Sequence, residues 1–171
     1  MIDQALQLIE APVERVYCQF FNQGWETDVE DHAHCILFFA NGVQFHIGTS
    51  SLARHPKPRW YVLGTAGSLV KQGIDPQEQA MIAGHIDAAV EEPENYPRLW
   101  REIDGQTCET VVDPVPGRWR SYYENIAAAL EDRSVLAVKP ESVRAVMVVL
   151  AAAVESATSG QAVTLEGISG R

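Results

Sequence analysis

Two histidines stand in the stretch Asp31-His32-Ala33-His34-Cys35. On a strand, His32 and His34 point to the same side, which is half of a zinc site. A third ligand would have to come from a distant segment, and no spacing elsewhere supplies one. Polar histidines at a strand edge are the plainer reading, and no metal site is expected. The acidic loop Glu26–Asp31 runs into them, so this edge is also placed to line a substrate pocket. Gly64-Thr65-Ala66-Gly67 is not a phosphate loop. Neither GxGxxG nor GxxxxGK[ST] occurs, and a strand follows it where a phosphate loop must open a helix. GxSxG is absent too, so there is no hydrolase nucleophile elbow. Cys18, Cys35 and Cys108 are far apart and odd in number, with no CxxC, and read as small buried hydrophobes.

The elements around these residues follow from periodicity. Ile2, Ala5, Leu6 and Ile9 predict an amphipathic helix that starts at once, with no capping residue before it. Val13–Phe21 is a strand. His32–Ala40 and Val43–Ser51 form a hairpin turned at Asn41-Gly42. Ile36-Leu37-Phe38-Phe39 is apolar on both faces and needs cover on both. The stretch Pro58–Pro76 gives strand, glycine turn and strand, with positive φ available to Gly64 and Gly67. Asp75-Pro76-Gln77-Glu78 then opens a helix expected to run to Val90. A further hairpin turns near Asp104-Gly105. Two long helices follow. The first carries Trp119, Tyr122, Tyr123, Ile126 and Leu130 as a core-facing stripe. The second starts at Lys139-Pro140-Glu141 with the stripe Val143, Val146, Met147, Leu150, Val154. Ala162–Glu166 is a last strand, and 167–171 is a loose tail.

A run of hairpins with helices gathered at the ends is the α+β pattern: an open, mainly antiparallel sheet with helices packed on one face. The chain of 171 residues is read as a single domain over 1–166. Helices can cover only one face of such a sheet, so the other is expected to meet a second copy of the chain. A net charge of −10 with scattered basic residues argues against nucleic acid and anionic membrane as partners. The longest apolar run, Ala145–Val154, is half a membrane span, and no signal peptide pattern opens the chain. The expected location is cytoplasmic.

Four motifs occur in order: Arg59-Trp-Tyr-Val-Leu-Gly-Thr-Ala-Gly-Ser-Leu-Val-Lys; Gly73-Ile-Asp-Pro-Gln-Glu; Tyr122-Tyr-Glu-Asn-Ile-Ala-Ala-Ala-Leu; and Lys139-Pro-Glu-Ser before a Val/Ala helix. Together they resemble the C-terminal domain of the Gfo/Idh/MocA family, in its scyllo-inositol-dehydrogenase-like branch. The resemblance covers nearly the whole chain. It implies a glyceraldehyde-3-phosphate-dehydrogenase-like C-terminal fold and an NAD(P)-dependent parent enzyme acting on a sugar or cyclitol. It also implies an N-terminal Rossmann domain, a catalytic Lys in Glu-Lys-Pro, and a catalytic Asp-x-x-x-His on the helix that Met1-Ile-Asp-Gln continues. By that match Met1 follows the catalytic His directly, and Asp3 is a structural acid of the same helix.

The expectation is therefore a chain with no catalytic and no cofactor-binding residue of its own, inactive alone, with NAD or NADP belonging to the parent. Asp31 and His32 match the place where family members carry Asp-Tyr near the sugar. They are the candidate substrate-lining residues for a small polyol. Expected partners are the Rossmann domain and another copy across the open sheet face, in a dimer or higher oligomer. The alternative is a stand-alone dimeric module that binds a small polyol or a protein without redox chemistry.

Overall fold

A computed structural model describes residues 1–169. The chain forms two compact units where the sequence reading has one domain: residues 1–53 with 136–171, and residues 54–135. Each has its own four-stranded antiparallel sheet.

The first unit opens with α1 (Ile2–Leu8), which no side chain caps. It continues through β1 (Val13–Phe21), β2 (His32–Phe39) and β3 (Gln44–Ser50). It closes with α4 (Pro140–Ser159) and β8 (Val163–Ile168), and the strand order is β3-β2-β1-β8. Alternation places Val16 and Cys18 of β1, Leu37 and Phe39 of β2, and Ile47 of β3 on one buried face. α4 covers that face with Ala145, Val149, Ala152, Ala153 and Ser156. The expected stripe is therefore the wrong side of the helix. Val143, Met147, Leu150 and Val154 are about half exposed, because alanines let the helix axis sit close to the sheet. α4 runs from Pro140 to just before Gly160, as the sequence reading has it. Its 20 residues and mean hydropathy of 1.4 have the length and composition of a membrane span, yet here they form the core helix of the unit.

Ser156 ties helix to strand. Its fully buried Oγ accepts from the Cys18 N–H at 2.9 Å and donates to the Gln161 carbonyl at 2.7 Å. Gly160 then ends α4 in the left-handed region at φ 71°. β8 reaches Ile168, so Gly167 and Ile168 belong to the strand and not to a tail. Gly170 and Arg171 lie outside the described residues.

The β2–β3 turn has one residue more than the two expected. Gly42, at φ 83°, donates to the Phe39 carbonyl, and Phe38 pairs with Gln44. This is a three-residue loop with its glycine in the left-handed position. The extra residue matters, because Ile47 then meets Cys35 on the core face and His46 meets Ile36 on the open face. A two-residue turn would have carried His46 into the core.

The second unit holds β4 (Trp60–Gly64), β5 (Gly67–Lys71), β6 (Arg98–Ile103) and β7 (Gln106–Val111), in that order across the sheet. α2 (Gln77–Ile82) and α3 (Arg120–Leu130) belong to it. The β4–β5 turn is Thr65-Ala66, and Gly64 does not take positive φ. Gly67 is needed for a different reason: a Cβ there would lie 2.4 Å from the Trp100 carbonyl oxygen of β6. Asp104 and Gly105, at φ 53° and 74°, make the β6–β7 turn as expected.

α2 stops far short of Val90, since Gly84 turns left-handed at φ 81° and a 3₁₀ turn at Ile86–Ala88 replaces the rest. Asp75 caps it: Oδ1 accepts from the Gln77 N–H at 2.9 Å. Gln77 is 4% exposed, and its Oε1 accepts from the Trp119 N–H at 2.8 Å. The Trp119 indole N–H donates to Asp75 Oδ2 at 3.1 Å. Gly117 passes so close that a Cβ would meet Gln77 Nε2 at 2.4 Å. This polar knot, and not an apolar stripe, fixes the start of α3. Tyr122, Tyr123 and Leu130 are 50%, 70% and 82% exposed, which corrects the core-facing expectation for that helix. All the buried apolar residues described belong to the first unit.

Candidate functional site

The expected site lies in the first unit, where the loop 22–31 enters β2. Asp31 is only 5% exposed. Its main chain extends the sheet: its N–H donates to the Phe21 carbonyl at 3.0 Å, and its carbonyl accepts from the Ser51 N–H at 2.8 Å. Its carboxylate turns back into the loop. Oδ2 accepts from the N–H groups of Gln23 at 2.8 Å and Gly24 at 2.5 Å. Gly24 has no room for a side chain, since a Cβ would fall 2.4 Å from Leu52 Cδ2. Asp31 is thus the clamp of this loop. Its Oδ1 is buried and has no hydrogen-bond partner.

His32 follows on the open face of the sheet, opposite Phe21 on β1 and Ser50 on β3. Its ring lies 5.4 Å from the Phe21 ring, tilted by 48°. His34 is half-buried on the same face, opposite Gln19 and Gly48. The His46 ring is 5.9 Å from that of His34, and His46 Nε2 lies 3.4 Å from Gln44 Oε1. The open face therefore presents three imidazoles with Gln19 and Gln44, groups rich in both donors and acceptors, and the Arg15 guanidinium lies over Phe38 on the same face. No group of three or more His, Cys, Asp or Glu that could hold a metal ion occurs among the described residues.

The sequence pairs His32 with His34 by spacing alone. His46 joins them through the register of the β2–β3 hairpin, which only the three-residue turn gives correctly. Asp3 lies in the helical layer, not on this face. With Gln7 of α1 and Val138, Ser142, Val143 and Val146 it lines a concavity between α1 and the start of α4.

Residues 1–70 match the GFO/IDH/MocA C-terminal domain. The scyllo-inositol 2-dehydrogenase (NADP(+)) IolW of Bacillus subtilis (strain 168) is 29% identical, over 97% of this chain and 47% of its own length. The uncharacterized oxidoreductase YdgJ of Escherichia coli (strain K12) is 30% identical, over 92% of this chain and 45% of its own. Among solved structures, yvaA from Bacillus subtilis superposes with a TM-score of 0.88 at 28% identity, covering 96% of this chain and 49% of that one. An oxidoreductase from Bacillus cereus, at 22% identity and a TM-score of 0.82, shares the fold. The first 70 residues thus carry the pattern of a Gfo/Idh/MocA C-terminal domain, and the chain as a whole has the α+β fold of its structural neighbours. It spans about half the length of the curated relatives it matches.

Proposed function

We propose that this chain is the substrate-side and oligomerisation domain of an NAD(P)-dependent oxidoreductase acting on a sugar or cyclitol. The observation that carries the reading is its similarity, along nearly its whole length, to a scyllo-inositol 2-dehydrogenase (NADP(+)). The site chemistry suits a polyol. Imidazole and carboxamide groups on the open face offer the donors and acceptors that hydroxyls need. The Phe21 ring beside His32 adds an apolar wall for C–H groups. Asp31 holds the loop that frames them.

Hydride transfer needs a bound nicotinamide and an acid–base group at the carbinol carbon. Both are assigned to the other half of the parent enzyme. Two titrations of the full chain test this division. NADH is expected to leave the tryptophan fluorescence unchanged; saturable quenching at micromolar NADH would overturn it. Inositol stereoisomers and pyranoses at millimolar concentration are expected to show saturation-transfer NMR signals. These should weaken about tenfold in apparent affinity, or 1.4 kcal/mol, in His32→Ala. No signal from any polyol would sink the substrate wall.

A further inference from the structure

Spacing along β2 offers His32 and His34 as a pair of ligands, but the hairpin register pairs His34 differently. Gly48 of β3 stands directly opposite His34, and His46 stands opposite Ile36. Residues 46 and 48 share the open face, so His46 is the diagonal neighbour of His34. Glycine leaves the place across from His34 empty: a Cβ at Gly48 would meet nothing within 4 Å. His32 is engaged elsewhere, with its ring 5.4 Å from that of Phe21.

The His34 and His46 ring centroids are 5.9 Å apart, tilted by 43°. Two rings that share a metal through Zn–N bonds of about 2.0–2.1 Å have centroids about 5–6 Å apart, depending on the angle between the bonds. The observed separation lies in that range. His34 is half-buried on β2, with β1 and β3 on either side, so packing holds this ligand. His46 is exposed and has room to turn toward it over Gly48. Gln44 Oε1 lies 3.4 Å from His46 Nε2. A carboxamide oxygen in that place accepts the Nε2 proton and leaves the Nδ1 lone pair for a metal, as outer-shell partners of ligating histidines do.

We propose that His34 and His46 form an exchangeable site for a first-row divalent transition metal, Zn(II), Ni(II) or Cu(II), with water completing the coordination sphere over Gly48. Imidazole nitrogens suit these ions, whereas magnesium and calcium call for oxygen ligands. Resident zinc sites use three or four protein ligands. Two ligands on an open face make a site that takes up and releases its metal, which is why no cluster of three is needed. The net charge of −10 favours a cation at the surface. Arg15 opposes it locally, but its guanidinium is held over Phe38, two residues past Ile36 along β2. The site depends on neither the redox nor the polyol reading, and its test uses neither cofactor nor polyol.

Calorimetric titration of the full chain, without a histidine tag, with zinc sulfate and with nickel sulfate is expected to show one ion bound per chain. Magnesium sulfate should give no binding. Loss of an outer-shell partner alone costs a metal site about 10–100-fold, so His34→Ala and His46→Ala should each weaken zinc at least about tenfold. His32→Ala, which the polyol reading makes sensitive, should leave zinc affinity unchanged, as should His55→Ala and His85→Ala. Zinc added to the wild type should shift the imidazole C–H NMR signals of His34 and His46 and leave those of His55 and His85 in place, a readout that holds even if a variant unfolds. No binding of zinc or nickel at hundreds of micromolar overturns the proposal. So does equal binding of magnesium, which would move the site to the acidic side chains. A His32→Ala chain weakened as much as His46→Ala overturns the cross-strand pair in favour of the one along β2.

Discussion

Cys18 and Cys35 stand directly opposite each other on β1 and β2, inside the core of the first unit. Burial pushes the Cys35 thiol up from 9.0 to about 12, and its neighbour Cys18 adds to the effect. Burial raises Cys18 as well, against the hydrogen bond from Cys35. Both are held as neutral thiols, the unreactive form. With Ellman's reagent at pH 8 the native chain is expected to release one equivalent, from the half-buried Cys108, and three in urea. Two or more fast equivalents from the native chain would show the core to be open to reagent. The linkage has a definite sign. A folded pKa above the unfolded one stabilises fully below pH 9, and that contribution fades as pH climbs from 9 toward 12. The buried character of these cysteines is legible in the sequence, because apolar residues surround both. The role of Asp31 is not. The sequence offers Asp31 as a substrate-lining acid, and only the turn back to Gln23 and Gly24 makes it a clamp.

Strands announce themselves better than helix faces in this chain. β1 and the hairpin positions follow from alternation and glycine turns, since each strand has one face buried and a nearby turn to set it. Helix α4 is apolar nearly all round, so periodicity has no contrast to read, and the alanine side wins by close approach. α3 misleads for another reason. Its aromatic stripe has the helical spacing of a core, but the helix is anchored at its start by Asp75 and Gln77 and leaves the stripe exposed. The glycines of the β4–β5 hairpin show a further limit, because what matters at Gly67 is Trp100 on the distant strand β6. Gly67→Ala, driven into the Trp100 carbonyl, is expected to cost about 3 kcal/mol in urea unfolding. Gly48→Ala, with nothing within 4 Å of the new methyl group, should stay within about 0.5 kcal/mol. Equal effects would mean that β5 and β6 can part to make room.

The two units differ in how they are held together. The first has a continuous apolar core between its sheet and α4, whereas the buried side chain of the second is Gln77. Local stability follows apolar burial. Amides of β5 and β6 are therefore expected to exchange with deuterium faster, and at lower urea, than those of β1 and β2; equal protection would contradict that ranking. The run of hairpins with helices gathered at the ends makes the α+β class readable from sequence, but not the division into units, because both sheets use the same hairpin grammar. The first unit is also discontinuous along the chain, since β8 pairs with β1 and α4 covers β1. On a ribosome emitting about 5–20 residues each second, β1, β2 and β3 emerge long before the helix that covers them. The second unit is finished in the interval. The apolar side of the early meander thus stays uncovered for about 5–20 seconds, and this interval, more than the finished molecule, is when the nascent chain is exposed to chaperones and to aggregation.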